Sequence, residues 1–155
     1  PPGEATNLHQ ESNHRSVYLC MLRHAQPQEL VAFDLPDAVG ITGRRDVTTL
    51  PTQTLFLLNS DFVVSQAGLY ARNLLNGSHF EGSGTSADEA RVRSVFQACF
   101  QRLPSEVELQ DAMDYLVAMD AHFEKIAADV GQRRKRVWQS FCQAMLMTNE
   151  FRYVD

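Results

Sequence analysis

The chain has 155 residues, 44% of them hydrophobic and 21% charged, with 14 Lys and Arg against 19 Asp and Glu and a formal net charge of −5. That length suits one ordinary domain or two small helical lobes and can bury a core without metals or disulfides. The charge balance argues against a nucleic-acid partner, whose footprint is a strongly basic face, and no apolar run reaches the roughly 18 residues of a membrane span.

Residues 1–15 are polar and read as a lead-in. The opening Pro1-Pro2-Gly3 has neither a starting Met nor a signal peptide, so a longer chain with a missing upstream part is expected. Val17–Leu22 is a short apolar run that periodicity leaves open between an isolated strand and an extended segment. Pro27 opens a short helix over Gln28–Phe33. An irregular loop then follows, from Asp34 to Asp46, with Pro36, Gly40 and Gly43.

Pro51 opens the next helix, with Leu55 and Leu58 on one side and Phe56 beside them. Ser60 is a good N-cap for a further helix, whose apolar stripe is read as Phe62, Val63, Gln66, Ala67, Tyr70 and Leu74. Asn76-Gly77 predicts a left-handed stop. Residues 77–86 hold three Gly and four Ser or Thr. They are expected to be a flexible linker between an N-terminal helical lobe, 16–76, and a C-terminal one, 87–155.

Ser86 is the expected cap of the next helix, with Asp88 and Glu89 in its first turn, where the helix dipole favours acids. Its predicted apolar face is Val92, Val95, Phe96, Cys99, Phe100 and Leu103, and Pro104 stops it. Ser105-Glu106-Val107-Glu108 fits a capping box, opening a helix that buries Leu109, Ala112, Met113, Leu116 and Val117. The pattern weakens from Met119 to Gln132, with a break expected at Gly131. A last helix presents Val137, Trp138, Phe141, Cys142, Met145 and Leu146. Thr148-Asn149-Glu150 ends it, and Phe151 and Tyr153 are expected to fold back onto the core. The fold class is therefore mainly α: an irregular helical bundle or two small helical lobes, with at most one short strand.

No nucleophile elbow, Ser-x-x-Lys, phosphate-loop or dinucleotide fingerprint is present. Cys20, Cys99 and Cys142 lack zinc-ligand spacing and form no haem-attachment motif. Free thiols are the favoured reading, with a Cys99–Cys142 disulfide the alternative in an exported protein. The five His are scattered without the helical spacing of ligand pairs. No catalytic residue, metal ligand or cofactor is expected in this domain. The pairs Asp88/Glu89 and Glu106/Glu108 are explained by helix N-termini rather than by glycosidase chemistry.

The sharpest polar cluster is Arg44, Arg45, Asp46, Thr48, Thr49, Gln53 and Asn59, which Arg15 and Arg23 are placed to join. Guanidinium forks beside a helix start suit an anion or a sugar. The structural reading, which is favoured, has Asp46 pairing an arginine and Thr49 capping the helix at Pro51. The run Gln132-Arg133-Arg134-Lys135-Arg136 reads as a solvated face, with an anionic surface or a partner domain as the alternative. Trp138 reads as core.

Three stretches carry a family resemblance: Arg15–Leu19 with Arg23 and Phe33–Asp37; Gly43-Arg44-Arg45-Asp46-Val47-Thr48-Thr49-Leu50-Pro51-Thr52-Gln53-Thr54-Leu55 running into Leu57–Val63; and Met145–Asp155. Together, over residues 15–155, they resemble the C-terminal domain of unknown function, family 1553, of planctomycete and verrucomicrobial multidomain proteins. Phe100-Gln101-Arg102-Leu103-Pro104 departs from the pattern, standing where a Leu-Gly-Arg-x-Pro turn is usual, and Cys20 replaces an apolar residue or Pro.

The resemblance implies an extracytoplasmic location, at the periplasm or cell surface. It also implies upstream domains that include a cytochrome c-like one carrying haem c. The expected role is a non-catalytic accessory or interaction module whose partners are the upstream domains of the same chain. The alternatives are a part of an extracellular polysaccharide-processing or redox enzyme, and a sugar- or anion-binding module with carbohydrate as its partner. The segment Val92–Phe151 is also similar to helical linker modules of the phycobilisome-linker type, which pair a Gly-Arg-x-Pro turn with a final Ser/Asn-x-Glu-Phe.

Overall fold

A computed structural model describes Tyr18, Leu30, Phe33 and residues 51–77, 84–126 and 129–152. Six helices form among these residues, and no strand: α1 (Pro51–Asn59), α2 (Asp61–Asn76), α3 (Thr85–Phe100), α4 (Glu106–Glu124), α5 (Val130–Met147) and α6 (Asn149–Arg152). The mainly helical class is as read from the sequence. Of the apolar run at 17–22, only Tyr18 is described, and it lies in a 3-10 turn.

The chain divides into two compact units, Pro1–Phe56 and Leu57–Asp155. In the first, the Phe33 and Phe56 rings meet edge to face at 6.0 Å, and Gln53 is buried. The division does not fall in the 77–86 stretch expected to separate two lobes. The reason is packing: α2 buries its inner stripe against α5, so the chain on both sides of that stretch shares one core.

Helix α5 is the hub of the second unit and touches α2, α3, α4 and α6. Its face Val137, Trp138, Phe141, Cys142 and Met145 is buried, with Trp138 only 1% exposed. Around it pack Ala67, Ala71 and Leu74 from α2, Val92, Val95 and Phe96 from α3, and Leu109, Ala112 and Leu116 from α4. The α2–α5 pairing is the most extensive and runs antiparallel. The Gln139 side-chain amide donates to the Val64 carbonyl at 3.1 Å, and that of Gln143 to the Leu58 carbonyl at 2.9 Å. The second bond reaches one of the last carbonyls of α1, which has no helical partner of its own. Helix α4 also runs antiparallel to α5, joined through Tyr115 Oη and Ser140 Oγ at 2.6 Å and through Arg133 and Asp120 at 3.0 Å.

The helix ends combine expected and unexpected devices. The capping box at Ser105 forms in full: Glu108 N donates to Ser105 Oγ, and Ser105 N to Glu108 Oε2. Helix α3 starts at Thr85 behind Gly84, two residues earlier than the Ser86 cap would place it, and Gly84 stands at φ 152°, where a side chain is strained. Gly77 ends α2 in an extended conformation rather than a left-handed one. Gly131 does not break a helix but lies in the first turn of α5, which Asp129 caps by accepting from Gln132 N at 2.8 Å.

Three apolar assignments also change. Phe151 is 41% exposed and does not return to the core, because α6 is held through Glu150. Leu103 and Val117 are likewise exposed.

Candidate functional site

Of the nine residues singled out as a binding cluster, Arg15, Arg23, Arg44, Arg45, Asp46, Thr48 and Thr49 lie outside the described residues. Gln53 is buried in α1, and Asn59 is exposed at the last position of the same helix. Both take part in side-chain or backbone interactions.

Three polar clusters of the second unit are committed to holding helices together. The tightest centres on Arg102, in the turn between α3 and α4. Its guanidinium donates to both carboxylate oxygens of Glu108, at 2.9 and 2.6 Å, and to both of Glu150, at 2.6 and 2.9 Å. The plane also lies over Phe96 and Phe100, 5.6 and 5.7 Å from their ring centres. Two-pronged Arg–carboxylate bonds fix orientation as well as distance. Bonding to Arg102, with the Ser105 backbone bond, holds the Glu108 carboxyl down at about 2. Glu150 is lowered by the same guanidinium, and Arg102 is raised by both acids. The turn's arginine and the Glu of the terminal x-Glu-Phe, separate features in the sequence, are thus direct partners.

The second cluster is Asp88 Oδ1 with Arg91 and Arg134 at 2.9 and 2.5 Å, joining the starts of α3 and α5. In the third, Arg133 pairs with Asp120 at 3.0 Å and Glu124 at 3.4 Å. The basic run is therefore not uniformly a solvated face: Arg133 and Arg134 are half-buried in ion pairs, and Lys135 and Arg136 point to solvent.

Cys99 and Cys142 are free thiols, half-buried and buried respectively, in agreement with the favoured reading. Burial raises Cys99 and pushes Cys142 up to about 12. The Tyr70 hydroxyl also reaches about 12, first through burial and then through these two sulfurs. A thiol so raised stays protonated and unreactive at neutral pH. Among the described residues no group of three His, Cys, Asp or Glu is placed to hold a metal ion, and no helix is long and apolar enough to cross a membrane.

One apolar surface that the core does not absorb is the outer face of α2. Its inner stripe, Val63, Ala67, Ala71 and Leu74, is buried. The sequence pattern put Phe62 on that stripe, but Phe62 is 66% exposed and Leu69 46%. Seven residues apart, they stand on one side of the helix. Leu58, at the end of α1, is also exposed. Beside this face runs an open groove of about 450 Å³ between α2 and α5, whose lining includes Ser65, Gly68, Leu69, Arg72, Lys135 and Gln139. Gly68 lets the helices close here: a Cβ at this position would lie 3.3 Å from Gln139 Nε2. The sequence pattern does not single out Leu69; the signal that could have separated it, with Phe62, from the Ala67–Ala71 line is their seven-residue spacing. Arg72 carries no local signal.

A family model described as "Protein of unknown function (DUF1553)" matches residues 2–116. No curated protein and no solved structure matches the chain. The matched span ends inside α4, so the similar stretch Met145–Asp155 lies beyond it. Helix α5, which completes the core around α2, α3 and α4, is beyond it too.

Proposed function

We propose, from the premise that this chain belongs to the DUF1553 family of proteins of unknown function, that it is a non-catalytic accessory module docking against another domain of the same multidomain protein. The observation that carries this reading is the exposure of Phe62 and Leu69 on one side of a helix whose opposite side is already in the core. A helix that is apolar on two sides suits burial on two sides. A fully buried side chain of this size is worth roughly 1.5–3 kcal/mol relative to exposure. A lone exposed residue is ordinary, but Leu58, Phe62 and Leu69 follow one another along the α1–α2 segment. The partner is taken to be an upstream domain, the cytochrome c-like one included, and the setting to be extracytoplasmic, since the sequence resemblance implies both.

The test expresses the upstream domains separately and titrates them with the 155-residue chain by calorimetry. A complex is expected whose affinity falls at least tenfold in the Phe62→Ser/Leu69→Ser variant, while the variant's circular dichroism stays that of the parent. Absence of a complex, or a complex indifferent to these two changes, overturns the proposal.

A further inference from the structure

We infer that the groove between α2 and α5 receives carboxylate side chains from an acidic segment of the docking domain. This inference rests on the docking reading above and names the chemistry of the partner. Arg72 on α2 and Lys135 on α5 line the same groove, and both are exposed. The neighbouring arginines of the basic run are neutralised within the fold, Arg133 by Asp120 and Glu124 and Arg134 by Asp88. Neither Arg72 nor Lys135 has an acidic partner or a hydrogen bond among the described residues, although the chain carries 19 acids to 14 bases. Two like charges lining one groove repel each other, and a counter-charge supplied by a partner relieves that repulsion while fixing its register.

The rest of the lining selects among anions. Ser65 and the Gln139 amide offer polar atoms, Leu69 offers an apolar wall, and Gly68 leaves the floor low. No aromatic ring is among the described lining residues, so they offer no stacking platform of the kind that commonly holds sugar rings. Ser65 and Arg72 are seven residues apart, about 10 Å along a helix. That span matches about three residues of an extended peptide, enough for a carboxylate at one end and an apolar side chain beside it.

The experiment is an NMR titration of the full chain with a capped peptide of alternating Glu and Leu, with its Gln-for-Glu counterpart as control. Shifts are expected at Ser65, Gly68, Leu69 and Gln139 with the Glu peptide and not with the Gln peptide. Raising the salt should weaken binding. Losing both cations in Arg72→Gln/Lys135→Gln should weaken it about tenfold, taking each exposed charge pair at its usual modest worth. Arg136→Gln, on the same helix but outside the groove, should leave it within about twofold. All three positions are exposed, and an unchanged thermal melt shows that folding is intact.

Equal binding of the Gln peptide, or full affinity in the double variant, overturns the inference. So does a tighter response to sulfated oligosaccharide or to phosphatidylserine vesicles than to the Glu peptide. If the Glu peptide fails while the upstream domain still docks through Phe62 and Leu69, the charge assignment alone falls. If both fail, the docking reading falls with it.

Discussion

The turn between α3 and α4 offers a measurement in which two backbone effects compete. Gln101 is the C-cap of α3 and sits in the left-handed region, φ 58° and ψ 23°, with its N–H donating to the Gln97 carbonyl. It is the sole non-glycine residue with positive φ among those described, and it stands where the sequence resemblance implies Gly. The left-handed region costs a residue with a Cβ roughly 1–2 kcal/mol. A Gly there gives back about 0.5–1 kcal/mol through the greater freedom of its unfolded chain. The side-chain amide of Gln101 reaches the Ala98 carbonyl only at 3.5 Å, on the surface, too long to weigh in the balance. Gln101→Gly should therefore stabilise the second unit by about 0.5–1 kcal/mol. With a urea slope of roughly 1–3 kcal/mol/M, the midpoint rises by a few tenths of a molar. Gln101→Ala keeps the Cβ and should change little, whereas Gln101→Val should destabilise. Urea unfolding followed by Trp138 fluorescence reports all three. If Ala stabilises as much as Gly, or if Gly destabilises, the strain assigned to this turn is not there.

Acid should loosen the Arg102 clamp in a defined window. Glu108 and Glu150 have folded values below the ordinary 4.5, Glu108 at about 2. Their stabilising contribution is complete above the unfolded value and is lost as pH falls through the folded one, so stability should drop between about pH 4.5 and 2. Glu108→Gln with Glu150→Gln should flatten that drop in pH-dependent melts; an unchanged slope would mean the clamp adds nothing. At the α2–α5 contact, Gly68→Ala gains about 1 kcal/mol of helix propensity and disturbs the Gln139 bond to Val64, itself worth about 1 kcal/mol. The single change should be nearly neutral, yet stabilise by about 1 kcal/mol in a Gln139→Ala background. Additive behaviour in that double-mutant cycle would show that the two groups do not compete. Finally, a chain cut after residue 116 loses α5 and with it Val137, Trp138, Phe141, Cys142 and Met145. It should give a collapsed amide spectrum and no cooperative thermal transition, and a sharp melt would show that α5 is dispensable.

The helical class could be read from the sequence because each apolar stripe recurs at the helical period, and several ends carry local devices. Ser105 with Glu108 and Pro51 act within a turn or two of their own position, so a short window contains the whole cause. Signals shared between conformations misled. Asn76-Gly77 suits a left-handed cap, but Gly77 turns extended. Gly131 is tolerated at the start of α5 because Asp129 supplies the missing partner for a first-turn amide.

What short windows could not contain is partnership. The pattern on α2 fits two stripes about 100° apart, one through Phe62, Gln66 and Tyr70 and one through Val63, Ala67 and Ala71. The fold buries the second because alanines and Gly68 let α5 come close, a choice made by a helix more than fifty residues away. The same holds for charge. Arg102 and Glu150 look like two exposed surface residues until the fold places α6 beside the α3–α4 turn. Arg133, Arg134 and Lys135 look equivalent in sequence until Asp120 and Asp88 claim the first two. Arg72, Arg93, Lys125, Lys135 and Arg136 are what remains once every charge that the fold pairs among the described residues has been assigned, and of these five Arg72 and Lys135 are the two that line the groove.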